Sequence, residues 1–387
     1  MNYDPRYPSI ADLKILAKKR IPSFAFDYID GAIDDERGKK RNRESFHGIH
    51  LTPRYLVDVS HIDISTELFG RRYAIPFGVP PIGLGNMMWP GAEKALAIAS
   101  QQANIPYILS SFSTTLMEEI AQVAPDVCWF QLYVPTKIEV MNELLSRAKN
   151  AGFKVLVVTL DIPVGAKRNR ELKNGLKLPF SFTPNIVWQS LIHPRWAIET
   201  LLHGSPDFVN VLPYKEGPDQ GLAEFISNFT MPGVSLERVK LIRELWDGPL
   251  VLKGIQYLQN AIDAMAIGVD GIIVSNHGGR QLDAAPTSIE TLQRLPKQVM
   301  DNMTIMIDSG VRTGTDVIRA KALGAQFAFS GRSFFYAMGA MGRAGANQAI
   351  EIYRDEITRT LQQLGCTSFD AMDKSWIDSG ADLSTGK

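Results

Sequence analysis

The sequence predicts an α/β chain folded as a (β/α)8 TIM barrel, with an N-terminal helical segment and an insertion after strand 4. Three observations carry that expectation. Eight short β-rich runs recur along the chain with helical patterns between them. The runs are apolar throughout rather than alternating, which suits parallel strands buried on both faces. Nearly every run also ends on a chemically able residue. In a barrel those ends converge on one face, whereas the alternative architecture, a doubly wound open sheet, spreads them along a line.

In chain order, the segment before the first strand is read as helical. The strands follow as Ile75 to Val79, Tyr107 to Ser111, Trp129 to Val134, Val155 to Asp161, Pro249 to Lys253, Gly271 to Asn276, Thr304 to Ser309 and Phe327 to Gly331. Their able ends are Ser110, Gln131 and Tyr133, Thr159 and Asp161, Lys253, Ser275 and His277, Asp308, then Gly331 and Arg332. Helical patterns such as GAEKALAIASQQA and EVMNELLSRAKNAG lie between them. Most stop at glycine, the first at Asn104, as residues that tolerate a left-handed cap do. Residues 1–387 read as one domain, and residues 175–233 as the insertion.

Bulk composition excludes several classes. Forty-one basic and 41 acidic residues balance, so nothing draws the chain toward nucleic acid. Two distant cysteines, Cys128 and Cys366, make neither a disulfide framework nor a metal spacing. The N-terminus has acids and prolines where a secretory leader needs an apolar stretch. The charge-free stretch Tyr73 to Ala92 carries four prolines and reads as a buried strand with its loop, not as a membrane span.

Two clusters suggest chemistry. DSGVRTGTD and SGRSF, after strands 7 and 8, offer Gly310 and Gly314 for close backbone approach, and Arg312 and Arg332 as cationic forks. That is where barrels seat phosphate groups. No dinucleotide or nucleoside-triphosphate fingerprint is present, so a mononucleotide is favoured. SNHGGRQLD (Ser275 to Asp283) supplies His277 as a base and Arg280 as a planar clamp for a carboxylate. Asp161 could orient the imidazole, and Lys253 would place a fixed charge nearby. Gly278 and Gly279 are read as letting the chain turn close to substrate. No metal site is expected.

These motifs, with LSSFSTT, WFQLYV, VTLDIP, VLKG, IDSGVRTGTDV and FSGRSF, resemble the FMN-dependent L-2-hydroxy-acid oxidases and dehydrogenases over almost the whole chain. The resemblance implies FMN as cofactor and oxidation of a 2-hydroxy acid to a 2-oxo acid. It implies that His277 is the base and Asp161 its partner. Tyr28 and Arg280 would hold the carboxylate, Arg168 would be a second carboxylate arginine or a lid arginine, Tyr133 would bond the hydroxyl, and Phe112 would shape the pocket. Lys253, Ser275, Pro81, Ile82, Gly83, Ser110, Gln131 and Thr159 would surround the flavin ring. Asp308, Gly310, Arg312, Gly331 and Arg332 would hold the ribityl phosphate. Two routes stay open: His277 removes the α-proton, or it takes the hydroxyl proton while hydride leaves the α-carbon. A homotetramer is also implied.

Departures narrow the reading. Pro81-Ile82-Gly83 stands where soluble oxidases often carry PTA, and DSG where many read DGG; both look more like lactate and mandelate dehydrogenases. Phe112 replaces a tryptophan of glycolate oxidase. Within the insertion, Val187, Trp188, Leu191, Ile192, Trp196, Ile198, Leu201 and Leu202 form an amphipathic hairpin, with Lys173, Lys177 and Arg195 nearby. This suits a peripheral contact with a membrane and transfer of electrons to a quinone, on the cytoplasmic face; two helices packed on the barrel are the alternative. A soluble oxidase releasing peroxide, an FMN-barrel isomerase and a non-catalytic flavin scaffold are the other functions considered.

Overall fold

The computed structural model describes residues 2–176, 183–204, 206–217 and 221–378. Three helices open the chain: α1 (Ile10–Arg20), α2 (Ser23–Asp30) and α3 (Arg37–His47). A two-stranded antiparallel hairpin, β1 (Thr66–Leu68) and β2 (Arg71–Tyr73), follows. This region is expected to be helical, and the hairpin is a departure from that expectation. Its Phe69 and Tyr73 rings pack on Trp129, and the Tyr73 hydroxyl accepts from the Trp129 indole at 3.1 Å. Tyr73 also meets Phe327. Trp129 and Phe327 lie at the starts of their strands, so the hairpin seals the N-terminal end of the barrel.

The eight expected strands all form. They are β3 (Phe77–Gly78), β4 (Tyr107–Ser110), β5 (Cys128–Leu132), β6 (Leu156–Thr159), β7 (Leu250–Ile255), β8 (Gly271–Val274), β9 (Thr304–Ile307) and β10 (Phe327–Phe329). All neighbours pair in parallel, and a parallel bridge between Val79 and Tyr107 closes β3 onto β4. The eight-stranded (β/α)8 barrel is therefore the fold, and its strands are buried as their unbroken apolar pattern requires.

Helices alternate with the strands: α4 (Ala92–Ala103), α5 (Met117–Val123) and α6 (Ile138–Ala151). Between β6 and α11 (Leu236–Leu245) lie α7 (Asn169–Lys173), α8 (Pro184–Leu191), α9 (Pro194–His203) and α10 (Leu222–Phe229). After β7 come α12 (Leu258–Ala266), α13 (Ser288–Arg294), α14 (Lys297–Asn302), α15 (Gly314–Ala322), α16 (Gly331–Met341) and α17 (Gly345–Leu364). The helix stops chosen from sequence, Asn104, Gly152, Gly268 and Gly324, all adopt positive φ.

Helix α3 matters most for the site. Asn42 exchanges side-chain hydrogen bonds with Asn276 at 2.7 and 2.8 Å. Asp283 accepts from the Gly38 N–H at 2.7 Å, near the start of α3. Two residues of SNHGGRQLD thus fasten α3 to the loop after β8. Here the expected reason for the paired glycines changes. A Cβ at Gly279 would lie 2.7 Å from the Lys39 backbone nitrogen, and one at Gly278 would lie 2.9 Å from the Arg332 guanidinium. The glycines make room for α3 and Arg332.

The expected outcome of Gly279→Ala (φ +73) is a loss of about 2 kcal/mol or more, from left-handed backbone plus overpacking. Gly268→Ala (φ +75), with nothing within 4 Å of its Cβ, should lose only about 1 kcal/mol, from the backbone alone. Denaturant unfolding of both variants checks this, and equal losses would contradict the packing reason.

Candidate active site

At the C-terminal mouth of the barrel lies a cavity of about 1070 Å³. Tyr28, Phe112, Tyr133, Arg168, Lys253, His277, Arg280, Asp308, Gly310, Arg312, Gly331 and Arg332 all line it, as do Pro81, Ile82 and Gly83. Ser110, Gln131, Thr159 and Ser275 do not. They are buried at the strand ends, bonded to protein: Gln131 Nε2 donates to Thr159 Oγ1 at 3.0 Å, and Ser110 Oγ accepts from the Phe112 N–H at 3.2 Å.

His277 follows β8 with φ +56, a left-handed conformation uncommon outside glycine. Its N–H donates to Ser275 Oγ at 3.0 Å, and its Nδ1 lies 3.0 Å from Asp161 Oδ1. Asp161 reaches in beside the bulge in β7, where a Cβ at Gly254 would stand 2.6 Å from the Asp161 side chain. Only a glycine fits between them. The second carboxylate oxygen, Asp161 Oδ2, is buried without a hydrogen-bond partner among the described residues.

Burial sets the direction of the shift for His277 and Tyr133, and neighbouring charges overcome it for Asp161 and Lys253. Desolvation pushes the His277 imidazole below its usual range; Asp161 pulls it back up and Lys253 pushes it down further. Burial would raise the Asp161 carboxyl, but His277 and Lys253 hold it below the ordinary carboxylate value. Burial also works against the charge on Lys253, yet Asp308 and Asp161 carry its ammonium above the ordinary lysine value. Lys253 Nζ lies 3.1 Å from both Asp308 Oδ2 and Ser275 Oγ. Tyr133 is raised by burial and then by Asp161, so its phenol keeps its proton.

The two arginines of SNHGGRQLD and SGRSF are anchored by the N-terminal segment. Arg280 Nη1 donates to the carbonyls of Tyr28 (2.6 Å) and Gly31 (3.0 Å). Arg332 donates to the carbonyls of Ile29, Gly278 and Gly31, each at 2.8 Å. A guanidinium so committed holds the loops together, which leaves the backbone N–H of Arg332 as the group open to an anion. That N–H belongs to the start of α16, where Ser330 makes no side-chain cap. Tyr28 brings its ring to 5.2 Å from the Arg280 guanidinium, and its hydroxyl donates to the Gly83 carbonyl at 3.0 Å.

Sequence reasoning missed Glu171. Its Oε1 is 3.1 Å from Arg280 Nη2 and 3.4 Å from Arg168 Nη1. A glutamate in RNRELK reads as one more surface charge; only the fold brings it between two distant arginines.

The α8–α9 hairpin shows a mixed face. Trp196 is 6% exposed, its indole donating to the Met87 carbonyl at 3.1 Å and its ring edge-on to Phe24. It is therefore a packing residue, contrary to its expected place on the interfacial face. Val187, Trp188, Leu191, Ile192, Ile198, Leu201 and Leu202 stay exposed, Trp188 at 63% and Leu201 at 83%. Lys177 lies outside the described residues. No described helix is long and apolar enough to cross a membrane, and no group of metal ligands occurs among the described residues.

A sequence profile of FMN-dependent dehydrogenases matches residues 17–379. The chain is 39% identical to an L-lactate dehydrogenase of Vibrio cholerae, over 92% of this chain and 95% of that one. It is 33% identical to the (S)-mandelate dehydrogenase of Pseudomonas putida, over 96% and 94%. Among solved structures, the monotopic membrane protein (S)-mandelate dehydrogenase superposes with a TM-score of 0.90 at 34% identity, covering 96% of this chain and 98% of that one. A mandelate oxidase follows at 0.79 and 31%, covering 95% and 97%.

The sign of the His277 shift gives a direct check. Followed by NMR of the imidazole, His277 should titrate below 6.5, and Asp161→Asn should move it lower still, because the carboxylate supports the protonated ring. An upward move would contradict the ion pair. In the window below 6.5 the unfolded chain binds a proton that the folded His277 does not. Stability should therefore fall as pH drops through that window, and fall again as Asp161 is protonated below its ordinary range.

Proposed function

The chain belongs to the FMN-dependent dehydrogenase family, and from that premise we propose that it oxidises an L-2-hydroxy acid to the 2-oxo acid and passes the electrons to a quinone-type acceptor at a membrane surface. The observation that carries the first half is one arrangement: a buried imidazole on a carboxylate, His277 on Asp161, facing the same cavity as Arg280 and Arg168.

The cavity fits FMN. Pro80, Pro81, Ile82 and Phe329 give it an apolar wall, and Lys253 a buried cation. At Gly331 a Cβ would meet the end of the Ile82 side chain at 2.9 Å and the Pro80 ring at 3.3 Å, so the cradle at the start of α16 is tight. Pro81 to Gly83 would face the ring, Lys253 its pyrimidine edge, and Arg312 with the N–H groups of Gly331 and Arg332 the phosphate. FMN, when bound, is the two-electron acceptor.

The side chains do the rest. Arg280 and Arg168 hold the carboxylate and orient the α-carbon. His277, neutral because it is buried, accepts a proton from the substrate. Asp161 then stabilises the imidazolium, which also compensates its own buried charge. The Tyr133 hydroxyl, kept protonated, can donate to the substrate oxygen. Phe112, Phe208, Ile226, Leu172 and Leu176 form an apolar wall that suits the substrate side chain.

The acceptor reading rests on the α8–α9 hairpin. Two tandem helices with buried Ile186, Gln189 and Trp196 on one side and seven exposed apolar side chains elsewhere suit shallow insertion among lipid headgroups. The neighbouring solved structure is named as a monotopic membrane protein.

His277→Gln should retain FMN yet lose about 10²–10⁴-fold in the rate of flavin reduction by substrate, read by anaerobic stopped flow. Near-normal reduction would sink the assignment of the base. The reduced wild-type enzyme should be reoxidised faster by a soluble quinone than by oxygen. It should also sediment with lipid vesicles, and Trp188→Ser with Leu201→Ser should release it. Faster peroxide formation and no vesicle binding would favour the soluble oxidase instead.

A further inference from the structure

The cavity holds one acid that the proposed reaction does not use. Glu171 sits between the two proposed clamp arginines, 3.1 Å from Arg280 and 3.4 Å from Arg168, and all three side chains are less than one-fifth exposed. Two guanidinium groups and one carboxylate leave a single uncompensated positive charge. Arg168 is held loosely: 3.4 Å is long for a charged hydrogen bond, and its Nε is buried with no partner among the described residues. Arg280 is held firmly from behind, with Nη1 committed to two carbonyls. The edge of Arg280 left for a ligand is the edge that Glu171 already touches.

The backbone that carries Glu171 is held in place. Its neighbour Arg170 bonds Asp27 at 3.0 Å and Asp30 at 2.7 Å, and also pairs with Glu36. Asn174 donates to Asp27 at 2.8 Å. Helix α7 is thus tied to the N-terminal segment at residues on both sides of Glu171.

We propose that Glu171 is a specificity-determining residue that attenuates the carboxylate clamp. It shares the two arginines with the ligand, so that the site takes a monocarboxylate, disfavours a dianion, and lets the 2-oxo acid product leave. The inference rests on the proposed hydroxy-acid reaction for its meaning, but its test does not require turnover.

The experiment is anion binding to the FMN-loaded enzyme, read from perturbation of flavin absorbance, with oxalate as dianion and pyruvate as monoanion. In Glu171→Gln, which keeps the shape and removes the charge, oxalate should bind about tenfold tighter or more, and pyruvate tighter by a smaller factor. In steady state, KM for the hydroxy acid should fall while kcat does not rise. Glu171→Asp, which keeps the charge but shortens the reach, should tighten oxalate by less than Glu171→Gln, and it carries the comparison if the glutamine variant loses FMN. Oxalate binding that is unchanged or weaker in both variants would overturn the proposal, leaving Glu171 as a strut for the arginines. If the wild type binds these anions but no 2-hydroxy acid bleaches its flavin, the reaction is wrong, while the role of Glu171 is still decided by the binding data.

Discussion

The site depends on the C-terminal end of one short helix. Helix α2 ends with carbonyl groups that have no partner inside the helix, and two of its last three residues, with the following Gly31, give them to arginines from the barrel loops. Arg280 takes Tyr28 and Gly31; Arg332 takes Ile29 and Gly31. These charge-assisted bonds are buried, and each would be costly to leave unmade. They lock the N-terminal segment over the mouth of the barrel and carry Tyr28 into the cavity. They also fix one face of Arg280, so that its remaining edge is presented to whatever occupies the site.

A second constraint is desolvation. The mouth of the barrel is covered on one side by α2 and α3 and on another by the segment between β6 and α11. Three contacts answer that cost inside: His277 with Asp161, Lys253 with Asp308, and Arg280 with Glu171. Burial lowers the imidazole and favours the neutral base. The carboxylate beside it keeps proton uptake within reach, since an imidazolium formed there meets a ready counter-charge. A water-filled cleft with the same residues would hold a more ordinary histidine and weaker pairs.

The barrel was legible in the sequence because buried parallel strands must be apolar throughout and because the strand ends are polar at the same place each time. The four helix stops were legible for an equally local reason, left-handed caps. The β1–β2 hairpin was not, since its three-residue strands are too short to show a period. SNHGGRQLD announced a reactive loop, but the division of labour within it was hidden. Asn276 and Asp283 fasten α3, Gly278 and Gly279 clear space for Arg332 and α3, and His277 and Arg280 are the side chains that face the cavity. Tyr28 and Glu171 carry no local signal at all: one sits in a plain amphipathic helix and the other in a charged run, and tertiary packing alone gives them meaning. Trp196 misled for the converse reason. Its spacing places it among the interfacial apolar residues, but its indole finds the Met87 carbonyl and turns inward.

The most direct measurement of the central claim is anaerobic reduction of the bound FMN by paired enantiomers of 2-hydroxy acids, lactate and mandelate among them. On the proposed clamp of Arg280 and Arg168, with the base fixed by Asp161, only one hand of the α-carbon would present its hydrogen to the reacting groups. The account predicts that the L-acids bleach the flavin and yield one equivalent of 2-oxo acid, whereas the D-acids leave it oxidised. Equal bleaching by both hands, or none by any L-acid, would contradict it.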